Sequence, residues 1–520
     1  MLQIKELTIT YKKDLRKLIS GLSFVLNPGD KAAIIGEEGN GKSTLIKLLY
    51  DEKLVEDYVE YSGEILRNNS VIGYLQQELE QSDKEMTIYE FMTQEAGFYE
   101  MEGKELAGMA NRVGIPPDLL YSCQEVDTLS GGEKVKLQMI RLLCKRPDIL
   151  LLDEPSNDID LKTLEWLEQF ILHWEGAILF ISHDETLLER TADRILHLEL
   201  LKKKKEAKHT ICNTGYGEYV SSREQQLAKQ VQLAKNERSE YKAQQDRLRR
   251  IEQKVAHQQN TISRQDPHGA RLLKKKMKAV RSMAHRFEKE AEEMTEIPDT
   301  EEAIFLKFHG REKIPNGKTI LQLNLKELRA GEKLLAENIE LWVKGREKVC
   351  LTGKNGVGKT TLLKIIAEKL SEQDSIHAAY MPQDYRDRMD FDSTPSDFLS
   401  QTGDKEELTR IHTFLGSLKF TAEEMNRPIR ELSGGQKAKL FLLHLSMSGA
   451  NVLVLDEPTR NLSPLSNPVI RQLLKDFDGA IISVSHDRKY IAEVCDTVYE
   501  LTREGFRKIT YHGPGSMVRI

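Results

Sequence analysis

The stretch Ile-Ile-Gly-Glu-Glu-Gly-Asn-Gly-Lys-Ser (Ile34 to Ser43) returns as Leu-Thr-Gly-Lys-Asn-Gly-Val-Gly-Lys-Thr (Leu351 to Thr360), and this recurrence decides the fold. Each copy follows a short apolar run and has the Gly-x-x-x-x-Gly-Lys-Ser/Thr spacing of a phosphate-binding loop. Glycines let backbone N–H groups turn toward phosphate, the lysine neutralises β and γ oxygens, and the final hydroxyl suits Mg²⁺. The candidate nucleotide-binding residues are Gly36, Gly39, Gly41, Lys42, Ser43 and Thr44 in the first copy. In the second they are Gly353, Asn355, Gly356, Gly358, Lys359, Thr360 and Thr361. Glu38 stands where the second loop has Asn355, an unusual charge beside phosphate.

Three more motifs repeat in the same order. Leu-Ser-Gly-Gly-Glu at 129 returns as Leu-Ser-Gly-Gly-Gln at 432, Leu-Leu-Leu-Asp-Glu-Pro at 150 as Leu-Val-Leu-Asp-Glu-Pro at 453, and Ser-His-Asp at 182 as Ser-His-Asp at 485. Ser130 to Asp153 spans the same distance as Ser433 to Asp456, and Asp153 to His183 the same as Asp456 to His486. Two homologous α/β domains are therefore expected, at 1–200 and 301–520, with the apolar runs as buried parallel strands. Asp153 and Asp456, ending such strands, are placed to hold Mg²⁺ together with Ser43 and Thr360. Glu154 and Glu457 are placed to orient or deprotonate an attacking water, and His183 and His486 to contact the γ-phosphate.

Residues 201–300 differ in kind. Between Leu201 and Ile297 there are 23 Lys and Arg against 13 Asp and Glu, a surplus of about +10 that leaves the rest of a chain of net charge -6 near -16. Leu227, Ala234, Tyr241, Leu248, Val255 and Ile262 recur every seventh position, and Leu273, Met277, Val280, Ala284, Phe287, Ala291 and Met294 follow a four-three spacing. Each series puts one apolar stripe down a helix. Asp266 is placed to cap a second helix that Pro267 begins, so a long antiparallel hairpin is expected, with its tip near 261–270. Between Asp246 and Arg281, eleven basic residues face three acidic ones, and a polyanion is the natural partner.

Five scattered cysteines without a Cys-x-x-Cys pair argue against a zinc site or a disulfide framework. The longest apolar runs are too short to cross a bilayer, and the first residues alternate like a strand rather than a signal segment. A cytoplasmic protein is expected.

Taken together, the glycine loop, the glutamine after Tyr74-Leu75-Gln76, Leu-Ser-Gly-Gly, Asp-Glu-Pro and Ser-His-Asp closely resemble the ATP-binding cassette superfamily across nearly all of both domains. The resemblance implies two cassettes packed head to tail within one monomeric chain, with two ATP and Mg²⁺. Each ATP would be clamped between one P-loop and the other cassette's signature: Lys42 with Ser433, Gly434 and Gly435, and Lys359 with Ser130, Gly131 and Gly132. It further implies catalytic roles for Gln77 and Gln383 and an adenine-stacking role for Tyr11. Two departures stand out. Ser463 occupies the place of Asp160, and the second copy offers no aromatic at Arg329 to Glu332, so the sites are expected to be inequivalent.

Two cassettes, no membrane segment and a helical linker resemble the ABC-F family of translation ATPases, and the tip with its basic run resembles the antibiotic-resistance members. That resemblance implies a ribosome-associated protein acting on the 70S ribosome, with 23S rRNA and P-site tRNA as contacts. On this reading Arg264, His268, Arg271, Lys274, Lys275, Lys276, Lys278 and Arg281 bind RNA. The alternatives are a housekeeping ABC-F translation factor, the ATPase subunit of a membrane transporter, and a coiled-coil DNA-maintenance ATPase. The last has coils within a cassette, whereas this hairpin joins two complete ones.

Overall fold

In the computed structural model, residues 1–204, 206–261, 267–292, 294–295, 308, 314–511 and 517–519 are described. The chain divides into a compact unit of residues 1–217 and 301–520 and a separate helical unit, 218–300.

The first cassette is built on a six-stranded sheet ordered Ile72–Leu75, Ile149–Asp153, Ala177–Ile181, Lys31–Ile35, Arg194–Leu200 and Glu206–Cys212. The first five strands are parallel and the last pairs antiparallel. Ile149–Asp153 and Ala177–Ile181 are buried throughout, which is why they read as unbroken apolar runs instead of alternating ones. A three-stranded antiparallel sheet of Lys17–Leu26, Leu2–Tyr11 and Val59–Leu66 completes this cassette. The edge strand Glu206–Cys212 carries the sheet beyond residue 200, where the sequence places a boundary. Its Glu-Ala-Lys-His-Thr-Ile-Cys pattern is only partly buried, and an edge strand of that polarity gives no core signal.

The second cassette repeats the plan. Its seven-stranded sheet runs Ala378–Met381, Val452–Asp456, Ala480–Val484, Lys348–Thr352, Thr497–Thr502, Gly505–Tyr511 and Met517–Arg519, and Thr319–Ala330 pairs with Lys333–Lys344 in a separate hairpin. In both sheets the strand entering the glycine loop and the strand ending in Asp-Glu flank a common neighbour. Their carboxyl ends therefore open on the same side, where open α/β sheets bind ligands.

The helical unit contains Tyr216–Thr261, most of which lies within it, and Pro267–Glu292. Ala234, Val255 and Val280 are buried, and Leu227, Tyr241, Leu248, Met277, Ala284 and Phe287 half-buried, among exposed neighbours. The seven-residue and four-three spacings thus mark the packed seam. Residues 262–266, including Ile262, Arg264 and Asp266, lie outside the described residues, as do the side chains of His268 and Leu273. Arg271, Lys274, Lys275, Lys276, Lys278 and Arg281 are all exposed. No helix among the described residues is long and apolar enough to cross a membrane. The five cysteines are free, and no group of three or more His, Cys, Asp or Glu able to hold a metal occurs among the described residues.

Candidate nucleotide sites between the cassettes

The strand Lys31–Ile35 feeds a loop that only glycine can form. Gly36 has φ 145°, and a Cβ there would lie 2.3 Å from the Leu198 carbonyl oxygen. Gly41, at φ 85°, caps the helix Lys42–Tyr50 in the left-handed region. The buried Lys42 ammonium donates to the carbonyls of Gly36 at 2.8 Å and Glu37 at 3.0 Å, inside the ring of backbone that a phosphate would share. Burial lowers its pKa, opposed by Glu154 and Glu38. Lys359 repeats the arrangement with the carbonyls of Gly353 at 2.8 Å and Lys354 at 3.1 Å.

Ser43 Oγ donates to Asp153 Oδ1 at 2.9 Å, and Thr360 stands in the matching place beside Asp456, opposing the burial that raises its pKa. Asp153 Oδ2 and Asp456 Oδ2 are buried without a hydrogen-bond partner, and burial pushes Asp153 up to about 6. A hydroxyl beside a carboxylate with an orphaned oxygen is an all-oxygen donor set of the kind Mg²⁺ takes together with phosphate and water, so these residues fit the ion.

Glu154 and Glu457 both adopt left-handed backbone, φ 51° and 53°, strain that concentrates at functional positions. Their surroundings differ. Glu154 accepts from Gln77 Nε2 at 3.0 Å and from Asn157 Nδ2, and lies 3.1 Å from His183 Nε2. Burial raises its pKa, but His183 and Lys42 more than offset this and hold it at about 2. The other His183 nitrogen lies 2.6 Å from the Leu462 carbonyl of the second cassette. Glu457 accepts from the His486 backbone N–H at 3.2 Å, while His486 Nε2 stands 3.9 Å away and His486 Nδ1 is buried without a partner. Burial, reinforced by Asp456, pushes Glu457 up to about 8, and burial pushes His486 down to about 3. Gln383 lines the second site together with Glu457.

The first P-loop meets the second signature, and the second P-loop the first. Gly435 N–H donates to Glu38 Oε2 at 2.6 Å, and Gly131 shares a cavity of about 600 Å³ with Gly356, Gly358 and Lys359. Each signature begins a helix with a reciprocal cap, Ser130 with Glu133 and Ser433 with Gln436. The Ser-x-x-Glu/Gln spacing carries that signal in the sequence. Asn157, Asp158 and the Leu462 carbonyl are site components that the motifs alone do not expose. Tyr11 packs tilted on Tyr58 with centroids 6.2 Å apart, and Thr44 of the P-loop helix opposes the burial that raises the Tyr58 pKa. Asp160 caps the helix Leu161–His173 through the Thr163 N–H and bears electrostatically on Lys359 and His486. Ser463 Oγ accepts the Ser466 N–H and pairs with the Ser466 hydroxyl, and brings no charge.

The sequence matches the ABC transporter family over residues 19–157 and 336–460, the segments that supply both P-loops, both signatures and both Asp-Glu pairs. The chain belongs to the ABC transporter family. Relatives matched along nearly the whole of this chain are ABC-F-type proteins. They include the ribosome protection protein VmlR of Bacillus subtilis, 28% identical over 98% of this chain and 88% of the relative. The probable ATP-binding protein YheS of Escherichia coli K12 is 27% identical over 95% of this chain and 77% of its own length. The fold matches an archaeal ribosome recycling factor, aABCE1, solved in complex with a stalk protein, with a TM-score of 0.58 at 16% identity over 96% of this chain and 89% of that one. The chain is an ATP hydrolase that uses Mg²⁺.

Proposed function

We propose that the chain is a ribosome-protection ATPase: it binds the bacterial 70S ribosome in an ATP-closed form, relieves inhibition by drugs of the peptidyl transferase centre, and leaves after hydrolysis. The observation that carries this reading is the similarity to VmlR, a ribosome protection protein, along almost the whole of both chains. The exposed run Arg271, Lys274, Lys275, Lys276, Lys278 and Arg281 supports it, since such a row suits RNA phosphates, and the binding should weaken steeply with salt. Arg264 and His268 at the tip would stack on bases or hydrogen-bond to them, with 23S rRNA and P-site tRNA as the contacts in a cytoplasmic, ribosome-associated protein.

Two ATP would bind, one per P-loop, each facing the opposite signature of the same monomer. Lys42 and Lys359 would hold β and γ phosphates, and Ser130, Gly131 and Gly132, with Ser433, Gly434 and Gly435, would close on them from across the interface. Mg²⁺, when held by Ser43 with Asp153 and by Thr360 with Asp456, supplies charge neutralisation on the phosphates. Glu154 and Glu457 would take the proton of the attacking water, Gln77 and Gln383 would position that water, and His183 and His486 would hold the γ-phosphate. Tyr11 would stack on adenine.

The test is the Glu154→Gln/Glu457→Gln chain in cell extract. Co-sedimentation with 70S ribosomes in ATP is expected, and absence from that fraction overturns the reading. An inhibitory-concentration panel of lincosamides, pleuromutilins and group A streptogramins separates protection from a housekeeping translation role. The similarity to YheS along most of this chain favours that role as the second reading. Unchanged susceptibility on expression selects it, and co-purification with membranes would instead select a transporter subunit.

A further inference from the structure

The first P-loop carries Glu37 and Glu38 where the second carries Lys354 and Asn355, and both carboxylates reach across to the other cassette. Glu38 Oε2 takes the Gly435 N–H at 2.6 Å, and its Oε1 would lie 3.2 Å from a Cβ on Gly434. The carboxylate therefore sits on the opening turn of the signature helix, where unpaired N–H groups and the helix dipole attract anions. Beside it, Glu37 meets Lys439 at 3.3 Å and Lys419 at 3.6 Å. The space left among Glu38, Ser433, Gly435 and Ser463 is only about 30 Å³. At the second site the equivalent Asn355 donates its amide to the Asp158 carbonyl at 2.6 Å, a bond that takes up no signature N–H, and the cavity is about 600 Å³.

We propose that Glu38 is an internal competitor for the terminal phosphate at the first site, occupying the Gly435 amide until ATP displaces it. The proposal rests on reading this P-loop and signature as an ATP site. A phosphate end seated on the Gly36–Ser43 loop faces the same helix terminus that Glu38 holds, and one N–H cannot serve two anions. Ser463 belongs to the same arrangement. A carboxylate there, as at Asp160 in the other copy, would repel Glu38, and Ser463 lines the same small cavity. Glu38 and Ser463, each unlike its counterpart in the other copy, thus meet at one site. ADP, lacking the terminal phosphate, does not compete with Glu38.

The test uses the full chain in a Lys359→Ala background, so that fluorescent nucleotide binding reports the first site, with and without Glu38→Asn, the residue the second loop already uses. A non-hydrolysable ATP analogue is expected to bind about tenfold more tightly, with ADP affinity changed less than about twofold. Glu38→Gln, which keeps the length and removes the charge, should act in the same direction, and thermal melting confirms that each variant folds. Equal changes for both nucleotides would make Glu38 a plain fastener between cassettes and overturn the proposal, as would no change or weaker binding of the analogue. If the background chain retains nucleotide that Lys42→Ala does not remove, the site assignment itself fails.

Discussion

The two nucleotide sites are assembled from the same motifs at the same spacing, yet they are set differently. At the first, Glu154 is clasped by Gln77, Asn157 and His183, His183 is anchored on the other cassette, and a carboxylate fills the signature. At the second, Glu457 is buried without such donors, His486 hangs back at 3.9 Å, and an open cavity separates P-loop from signature. The cassette faces also differ in sign. The first presents Glu168, Glu185 and Glu189, the second Arg471, Arg488 and Lys489, and these pair across the interface. The two halves share the motifs, while the residues between them make the halves complementary instead of identical.

The largest effect is expected at this charged face. Arg471 and Glu185 are both nearly fully buried, so Arg471→Ala leaves the Glu185 carboxylate buried with Lys489 as its remaining cation and should cost about 3 kcal/mol. Denaturant unfolding of the single and Glu185→Ala/Arg471→Ala chains measures it. If the double variant is no more stable than Arg471→Ala, the pairing across the interface is not what stabilises the halves.

Next come the two glutamates. Glu154→Gln should lower steady-state ATP turnover about 100-fold, and Glu457→Gln less than about 10-fold, because only Glu154 is already held for proton transfer. Equal residual rates would break the comparison between sites.

Glu37 gives a smaller, pH-dependent effect. Burial raises its pKa, but Lys439 and Lys419 offset this and hold it at about 2, below the ordinary 4.5. An acid depressed in the folded state stabilises fully above the ordinary value, and that stabilisation is lost as pH falls toward 2. Glu37→Gln should therefore cost about 2 kcal/mol at pH 7 and progressively less between pH 5 and 2. Melting curves over that range test the sign, and a cost that grows on acidification contradicts it.

The smallest effect should be symmetric. Ser130→Ala and Ser433→Ala each remove a helix cap and should each cost about 1 kcal/mol. Equal losses would locate the asymmetry in the P-loops and catalytic strands, whereas unequal ones would extend it to the signature helices.

Much of this was legible beforehand, for particular reasons. Residues that must meet phosphate are constrained locally: Gly36 and Gly41 by backbone conformation, Lys42 and Ser43 by their place one step after the loop. The helical unit was legible because a seam every seven residues survives any surface chemistry, and Ala234, Val255 and Val280 are buried where that spacing put them. The edge strand Glu206–Cys212 was not legible, because one partly exposed strand has no apolar period to show. Glu38 was visible as an oddity without a meaning, since its partner Gly435 lies far along the chain.

The sequence by itself determined the duplicated α/β cassettes, the P-loops, the Asp-Glu pairs and the helical hairpin, because each is written in short-range spacing that backbone geometry enforces. Tertiary structure alone decided that Glu154 and Glu457 have different neighbours, that Glu38 and Ser463 belong to one site, and that acidic and basic faces meet. Those outcomes depend on burial and on charges brought together from distant parts of the chain, and both exist only once the two cassettes have packed.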